Sequence, residues 1–413
     1  MISTEIFDVV LLIALALIFA RILGFLFSKI KQPAVIGEIL AGVILGGLGL
    51  FFFHGQEVTL FNFPISIPEL DYHSSQFDFL AEIGILFLLF ISGLETNLSK
   101  LKKMEKASTF VAISGVIVPF ILGLLVGILL NYSLEVSVVL GLILTATSIG
   151  VTVRSLMDIQ ALGSDSGMII LGSAVIDDVI AIILFALYFA VSLGTLSDAI
   201  WVGFKIIIFF LIFLIIAQKF MDKILGLCEK IHLPKSFLSI SLAILLIYSF
   251  FADKAGISGI VGAFIAGLLI GQNVRSVKIM DDVKALGFGL FIPIFFVWVG
   301  SSLWINIGMD ISSYVPTIVL ALVVIIIGIL GKIIGCGIGA KLAGMTNRES
   351  LQIGVGMIPR MEMALIIVSV SISRGFLPES GGIAHRVLVA TVLLTLVTTI
   401  ITPFLVRATF KND

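Results

Sequence analysis

Apolar residues run along this chain in long stretches separated by short polar joints, beginning with LLIALALIFARILGFLF at positions 11–27. A run of about 20 apolar residues is what a helix needs to cross the hydrocarbon core of a bilayer. Stretches of this kind lie at 6–27, 33–53, 78–95, 107–131, 135–156, 166–193, 198–218, 236–252, 257–274, 284–304, 313–340, 350–374 and 384–406. In lipid every backbone N–H and C=O needs a partner within the protein, so spans of this length are helices. The pattern predicts an all-α membrane protein with 13 transmembrane helices. With an odd span in the middle, spans 1–6 and 8–13 read as inverted repeats around span 7, an order that recurs in secondary transporters.

Composition supports the class. Of the 413 residues 59% are hydrophobic and 12% charged, about half the charged share of a soluble domain. The first eight residues are acidic where a secretory leader would be basic, so 6–27 is expected to be a retained span. Cys228 and Cys336 lie far apart and match no metal or redox spacing. Lys and Arg fix the orientation. With the N-terminus outside, the inner loops and C-terminal tail hold 18 of them, among them Lys100, Lys102, Lys103, Arg154 and Lys341. The outer loops hold three, Lys254, Arg374 and Arg386. The expectation is therefore an outer N-terminus and a cytoplasmic C-terminus.

The charges left inside the spans are few. A charge at mid-bilayer costs about 2.5–3.5 kcal/mol even on the lenient insertion scale, which marks it for function. In GSAVIDDVIAII, Asp177 and Asp178 stand about 12 residues, or roughly 18 Å, from the inner end of span 6. Lys332 lies roughly 13 Å in from the inner end of span 11. Neighbouring helix positions differ by about 100°, so one aspartate can face a helix such as that carrying Lys332 while the other faces a cavity. A buried ion pair that merely fixes helix packing would explain one acid and leave the other. That second carboxylate calls for a proton or a cation. Arg21, Lys205, Glu38, Glu82, Arg360 and Glu362 complete the list, with Glu38 expected near the inner interface and Arg21 and Lys205 able to snorkel or pair.

Two spans look interrupted. Span 5 carries LILTATSIGVTVRSL, with Thr145, Thr147, Ser148, Gly150 and Thr152 in mid-helix, and span 12 carries IGVGMIPRMEMALI, with Gly354, Gly356 and Pro359. Proline removes a donor and disfavours helix at the residue before it. The interruptions fall in the fifth span of each half, and a matched pair of broken helices points to a transporter's ion site. Freed carbonyls and the Thr147 and Ser148 hydroxyls would supply oxygen ligands for a hard monovalent cation. Ordinary Ser, Thr and Gly packing between helices is the bland alternative. Arg360 and Glu362 flank the second break and fit helix-end neutralisation as well as function.

KQPAVIGEILAGVILG, TATSIGVTVRSL, GSAVIDDVIAII, GILGKIIG and GVGMIPRMEMALI, in this order, resemble the second cation:proton antiporter family, and the double aspartate with the distant lysine resembles its NapA-like sodium/proton antiporters. The resemblance covers essentially the whole chain. It implies two crossing broken helices, a transport core at about 107–193 and 313–406, a dimerisation scaffold at about 6–95 and 236–304, a linking helix at about 198–218, and a homodimer. It assigns Asp178 to the carboxylate that binds Na⁺ in turn with protons, Asp177 to the partner of Lys332 in a proton switch, and Thr147 and Ser148 to hydroxyl positions at the ion site. Met361 departs from the glycine of many relatives in a PRGE-like motif, which loosens the assignment of Arg360 and Glu362 to a core charge network.

The expected function is secondary active antiport of Na⁺ or Li⁺ against H⁺ by alternating access, moving net charge, with no enzymatic step and no cofactor beyond the transported ions. K⁺/H⁺ antiport is the near alternative, although the potassium members with a nucleotide-binding domain usually have glutamine at the first aspartate. A sodium-coupled organic-anion symporter would want a roomier polar cavity. An intramembrane aspartyl protease needs its acids on separate helices, which adjacent Asp177 and Asp178 do not provide. A passive channel would conduct under voltage without proton coupling. Expected partners are membrane lipid and a second copy of the chain, with no nucleic acid and no soluble regulatory domain in this chain. The expected location is a prokaryotic cell membrane.

Overall fold

The computed structural model describes residues 4–410, apart from 31, 53–56, 61–62, 67–69, 194–199, scattered positions between 202 and 234, 257, 274–275, 303–313 and 379–381. Helices α1 (Thr4–Lys29) and α2 (Ala34–Phe52) are followed by a two-stranded antiparallel hairpin, β1 (Glu57–Leu60) and β2 (Phe63–Ser66), in a loop that the hydrophobic pattern leaves without structure. Then come α3 (Ser75–Glu95), a short α4 (Leu98–Lys103), α5 (Glu105–Leu129), α6 (Leu134–Thr145), α7 (Gly150–Asp158) and α8 (Asp165–Leu193). After most of span 7, which lies outside the described residues, the chain continues with α9 (Ser236–Lys254), α10 (Gly259–Gly271) and α11 (Val277–Leu286). A π-helical turn (Gly287–Phe291) joins α11 to α12 (Ile292–Ser301), and α13 (Tyr314–Leu342), α14 (Asn347–Gly356), α15 (Glu362–Ser373) and α16 (Ile383–Phe410) complete the chain. Among the described residues nine helices or helix pairs are long and apolar enough to cross a membrane, and α2, α10 and α15 are shorter apolar helices. Together they coincide with every expected span except the seventh.

The helices associate in two groups. α5 packs along α13, α6 and α8, while α16 closes on α13, α14, α15 and α7. Separately, α3 packs on α10 and α12, α2 on α1 and α12, and α9 on α10. Between the groups α7 touches α2 and α3, and α16 touches α2. Without a hydrophobic driving force between helices in lipid, close backbone approach through small residues supplies much of the attraction. Gly42 and Gly300 do this for α2 and α12: a Cβ on Gly42 would overlap the Val297 carbonyl, and one on Gly300 the Ile39 carbonyl. The outward faces stay apolar, as lipid requires, with Ile117, Ile121, Leu125 and Ile128 exposed along α5.

The two interrupted spans break where their sequence says they should. α6, capped by Ser133, whose hydroxyl accepts from the Val136 amide, ends at Thr145, and four residues pass before α7 begins at Gly150. α14 opens on a capping box between Thr346 and Glu349 and ends at Gly356, before the Pro359 segment and α15. Among those nine the interrupted span Leu134–Asp158 is the most buried, with 94% of its most apolar stretch inside the protein. Its freed backbone groups therefore find partners in protein rather than lipid.

Candidate ion site

The two breaks cross. The Ser148 amide donates to the Pro359 carbonyl at 2.7 Å, and the Thr152 hydroxyl donates to the Gly356 carbonyl at 2.7 Å. Arg360, fully buried, ties the crossing to its surroundings. Its guanidinium donates to the carbonyls of Ile358, Leu144 and Gly328, each at 2.9 Å, and its backbone amide to the Thr398 hydroxyl at 3.3 Å. Leu144 lies in the last turn of α6, so the cation meets the negative end of that half-helix dipole. A planar fork with several donors suits three carbonyls on three elements better than an ammonium would.

On α8, Asp177 points into this arrangement. Lys332 on α13 donates to both of its carboxylate oxygens at 3.2 Å, and both residues have no exposed surface. The Thr147 hydroxyl and the Arg360 charge also act on Asp177. Yet neither Thr147 Oγ1 nor Ser148 Oγ makes a hydrogen bond of ordinary geometry, although both residues are at least nine-tenths buried. A buried hydroxyl left so is unfavourable by about 1–3 kcal/mol. Two such oxygens at the break, that of Thr147 acting on Asp177, fit a hard monovalent cation better than a soft metal.

Asp178 faces the other way. It is half-buried and lines a small cavity with Leu171, Ala174 and Val175 of its own helix, Ile149 of the first break, Leu89 of α3, and Ile260, Val261 and Phe264 of α10. The cavity measures about 10 Å³, room for roughly one water and none for an organic anion in this conformation. The two aspartates thus divide as the 100° rotation between neighbours demands: one toward Lys332, one toward the seam between the helix groups. Glu362 begins α15, and its side chain lies outside those described. The α10 residues bordering Asp178 carry no sequence signal, because an apolar residue beside a seam looks the same as one in a core.

Two further charges meet inside the protein. Arg154, counted with the inner loops, is buried on the last turns of α7. Glu38 is 1% exposed and lies between Arg154 (3.7 Å) and Arg21 (3.8 Å). A scan for apolar runs cannot see this, since the partners come from three helices.

Interrupted helices that cross, with a buried acid–lysine pair and a second acid at a helix-group seam, are the arrangement of a secondary transporter. Comparison with known proteins then gives the family. The family model described as "Sodium/hydrogen exchanger, transmembrane" matches residues 11–412. The chain belongs to that family. It is 33% identical to the Na⁺/H⁺-K⁺ antiporter GerN of Bacillus cereus, over 96% of this chain and 95% of GerN. It is 33% identical to a Na⁺/H⁺ antiporter of Enterococcus hirae over 91% of both chains. The solved structure of the sodium proton antiporter MjNhaP1 from Methanocaldococcus jannaschii superposes with a TM-score of 0.63 at 20% identity, covering 99% of this chain and 98% of that one, a likeness of fold.

Proposed function

We propose that the protein is a Na⁺/H⁺ antiporter working by alternating access, in which Asp178 binds Na⁺ and protons in competition and the Asp177–Lys332 pair acts as a second proton switch. The observation that carries the reading is the buried pair at the crossing of two broken helices, one residue away from an acid on the seam. The function named for GerN and for the E. hirae relative, each matched over nine-tenths or more of its length, supports it.

Asp178 cannot hold a proton and Na⁺ at once, so occupancy by one excludes the other and couples the fluxes. Thr147 and Ser148 supply oxygen ligands as the ion sheds water. Arg360 holds the half-helix ends in register while the site empties and fills. The helices at 107–193 and 313–406 move as a transport core against a scaffold at 6–95 and 236–304, with 198–218 linking them, and the seam at Asp178 opens to one side at a time. The scaffold pairs with that of a second copy in a prokaryotic cell membrane, N-terminus outside and C-terminus in the cytoplasm. No covalent chemistry or cofactor is involved. If Asp177 and Lys332 change protonation with Asp178, two protons move per Na⁺ and each cycle carries one net charge.

The test is proton flux in proteoliposomes with a pH-sensitive dye, adding Na⁺, Li⁺ and K⁺ in turn. Wild type should acidify or alkalinise its lumen on Na⁺ addition, and Asp178→Asn should abolish the response. Exchange by the variant at the wild-type rate would remove Asp178 from the site. A response to K⁺ alone would replace Na⁺ as the cargo.

A further inference from the structure

Glu38 belongs to a motif that the ion site leaves unused. It stands on α2, one turn beyond Pro33, and faces charges carried by α7, the half-helix that follows the Thr147–Ser148 break. Among the described residues Arg154, Asp158 and Arg21 are the charges that act on it. Arg154 on α7 reaches Glu38 Oε1 at 3.7 Å, Arg21 on α1 reaches the same oxygen at 3.8 Å, and Arg154 Nε lies 3.4 Å from Asp158, one turn on. The backbone N–H groups of Ala34 and Val35, the first residues of α2, act favourably on the Asp158 carboxylate. An acid is favoured there by the unpaired N–H groups of a helix start. The Arg154 guanidinium also stacks on the Phe288 ring of the π-helical turn, 4.5 Å from its centroid.

These contacts join the two helix groups, which also meet where α7 packs on α3 and where α16 touches α2. α7 is continuous with the ion site, whereas α1, α2 and the π-turn belong to the other group. The ion pairs are close without being hydrogen-bonded: Glu38 Oε2 and Arg154 Nε both lack a hydrogen-bond partner. Such contacts hold by charge alone and part more easily than bidentate ones. Next to them opens a cavity of about 420 Å³, lined by Arg154, Asp158, Gln160, Glu95, Lys284 and Phe288. Its polar wall gives Arg154 and Asp158 a hydrated alternative once they leave α2, so neither charge is stranded in apolar surroundings.

We propose that Glu38, Arg154 and Asp158 form a latch between α7 and α2, closed in this conformation, which parts each time the helices carrying Asp177 and Asp178 shift. The latch sets the ratio of the two access states. This rests on the reading of the two helix groups as moving bodies of an antiporter. A static brace would have the same contacts but would leave that ratio alone.

Two measurements on the full chain in lipid decide between them. In the first, Na⁺-driven proton flux is recorded with Na⁺ supplied from either face of oriented proteoliposomes, for wild type, Glu38→Gln and Arg154→Gln. A latch predicts that the ratio of half-saturating Na⁺ at the two faces changes by about fivefold or more; an unchanged ratio at full activity overturns it. In the second, Ala34→Cys and Asp158→Cys are introduced after Cys228 and Cys336 are replaced by alanine. Disulfide formation should stop exchange and reduction restore it, whereas an oxidised protein as active as the reduced one overturns the latch. The rate of disulfide formation, which needs no transport, should fall several-fold when Glu38→Gln is added; an unchanged rate also overturns it. Wild type without Na⁺-driven flux would sink the antiport reading instead, and the cross-linking rate would still judge the latch.

Discussion

Asp177 and Lys332 are opposite charges with no exposed surface, and most of their meaning follows from that. Removing one partner of a buried pair strands the other and costs about 3–5 kcal/mol, while replacing both with neutral groups is often close to neutral. Lys332→Met should therefore lower the thermal midpoint of the protein in lipid nanodiscs by several degrees, and Asp177→Asn/Lys332→Met should recover most of the loss. Equal midpoints for the single and double variants would mean that the pair contributes no coupling. Asp178, one residue along, borders a cavity at the seam, so its neutral variant is expected to lose exchange while keeping the fold. Adjacent acids with separate roles are a consequence of helical rotation alone.

Two helices that stop half-way through the protein would be ruinous if their ends faced lipid. Each leaves up to four unpaired carbonyls or amides. Here the breaks serve one another, through Ser148 with Pro359 and Thr152 with Gly356, and Arg360 collects three further carbonyls. Lysine offers a point charge and no fork. Arg360→Lys is expected to lose at least one of these charge-assisted bonds, about 1.5–3 kcal/mol, seen as a lower thermal midpoint together with slower exchange. An unshifted midpoint would show that the half-helix ends are held by the backbone crossing alone. The positions of the breaks were legible from Gly354, Gly356, Pro359 and the Thr–Ser cluster. Their pairing was not, because hydrogen bonds across some 200 residues of sequence leave no local pattern. Nor did local pattern reveal the β1–β2 hairpin, whose register is set by backbone pairing over four residues a strand.

At the scale of the whole molecule the helices fall into two groups, with the acids on one and the seam between them. A cycle that carries one net charge feels the membrane potential by about 2.3 kcal/mol per 100 mV. An interior-negative potential, clamped with potassium and valinomycin, should accelerate proton uptake against Na⁺ release in wild type. The Asp177→Asn/Lys332→Met variant, with one titrating acid left, should exchange one for one and ignore the clamp. Voltage-independent wild-type exchange would confine the proton coupling to Asp178. The latch at Glu38 belongs to this scale as well, since it joins the groups and not the members of either.

The sequence by itself determined the class, the order of the helices, the two interruptions and the presence of Asp177 and Lys332 deep in apolar spans. Each of these follows from a local rule: run length against bilayer thickness, proline and glycine against the helix, charge against lipid. The whole-chain likeness of its motifs carried the family. Only the tertiary structure decided which charge meets which. It put Arg154 inside the protein beside Glu38, turned Asp178 to the α3–α10 seam, and set Arg360 on carbonyls from three elements. Those outcomes depend on how helices rotate and approach one another, and in a bilayer that is settled by small-residue packing and by pairing polar groups across the bundle. Neither leaves a signal at the spacing of a single helix.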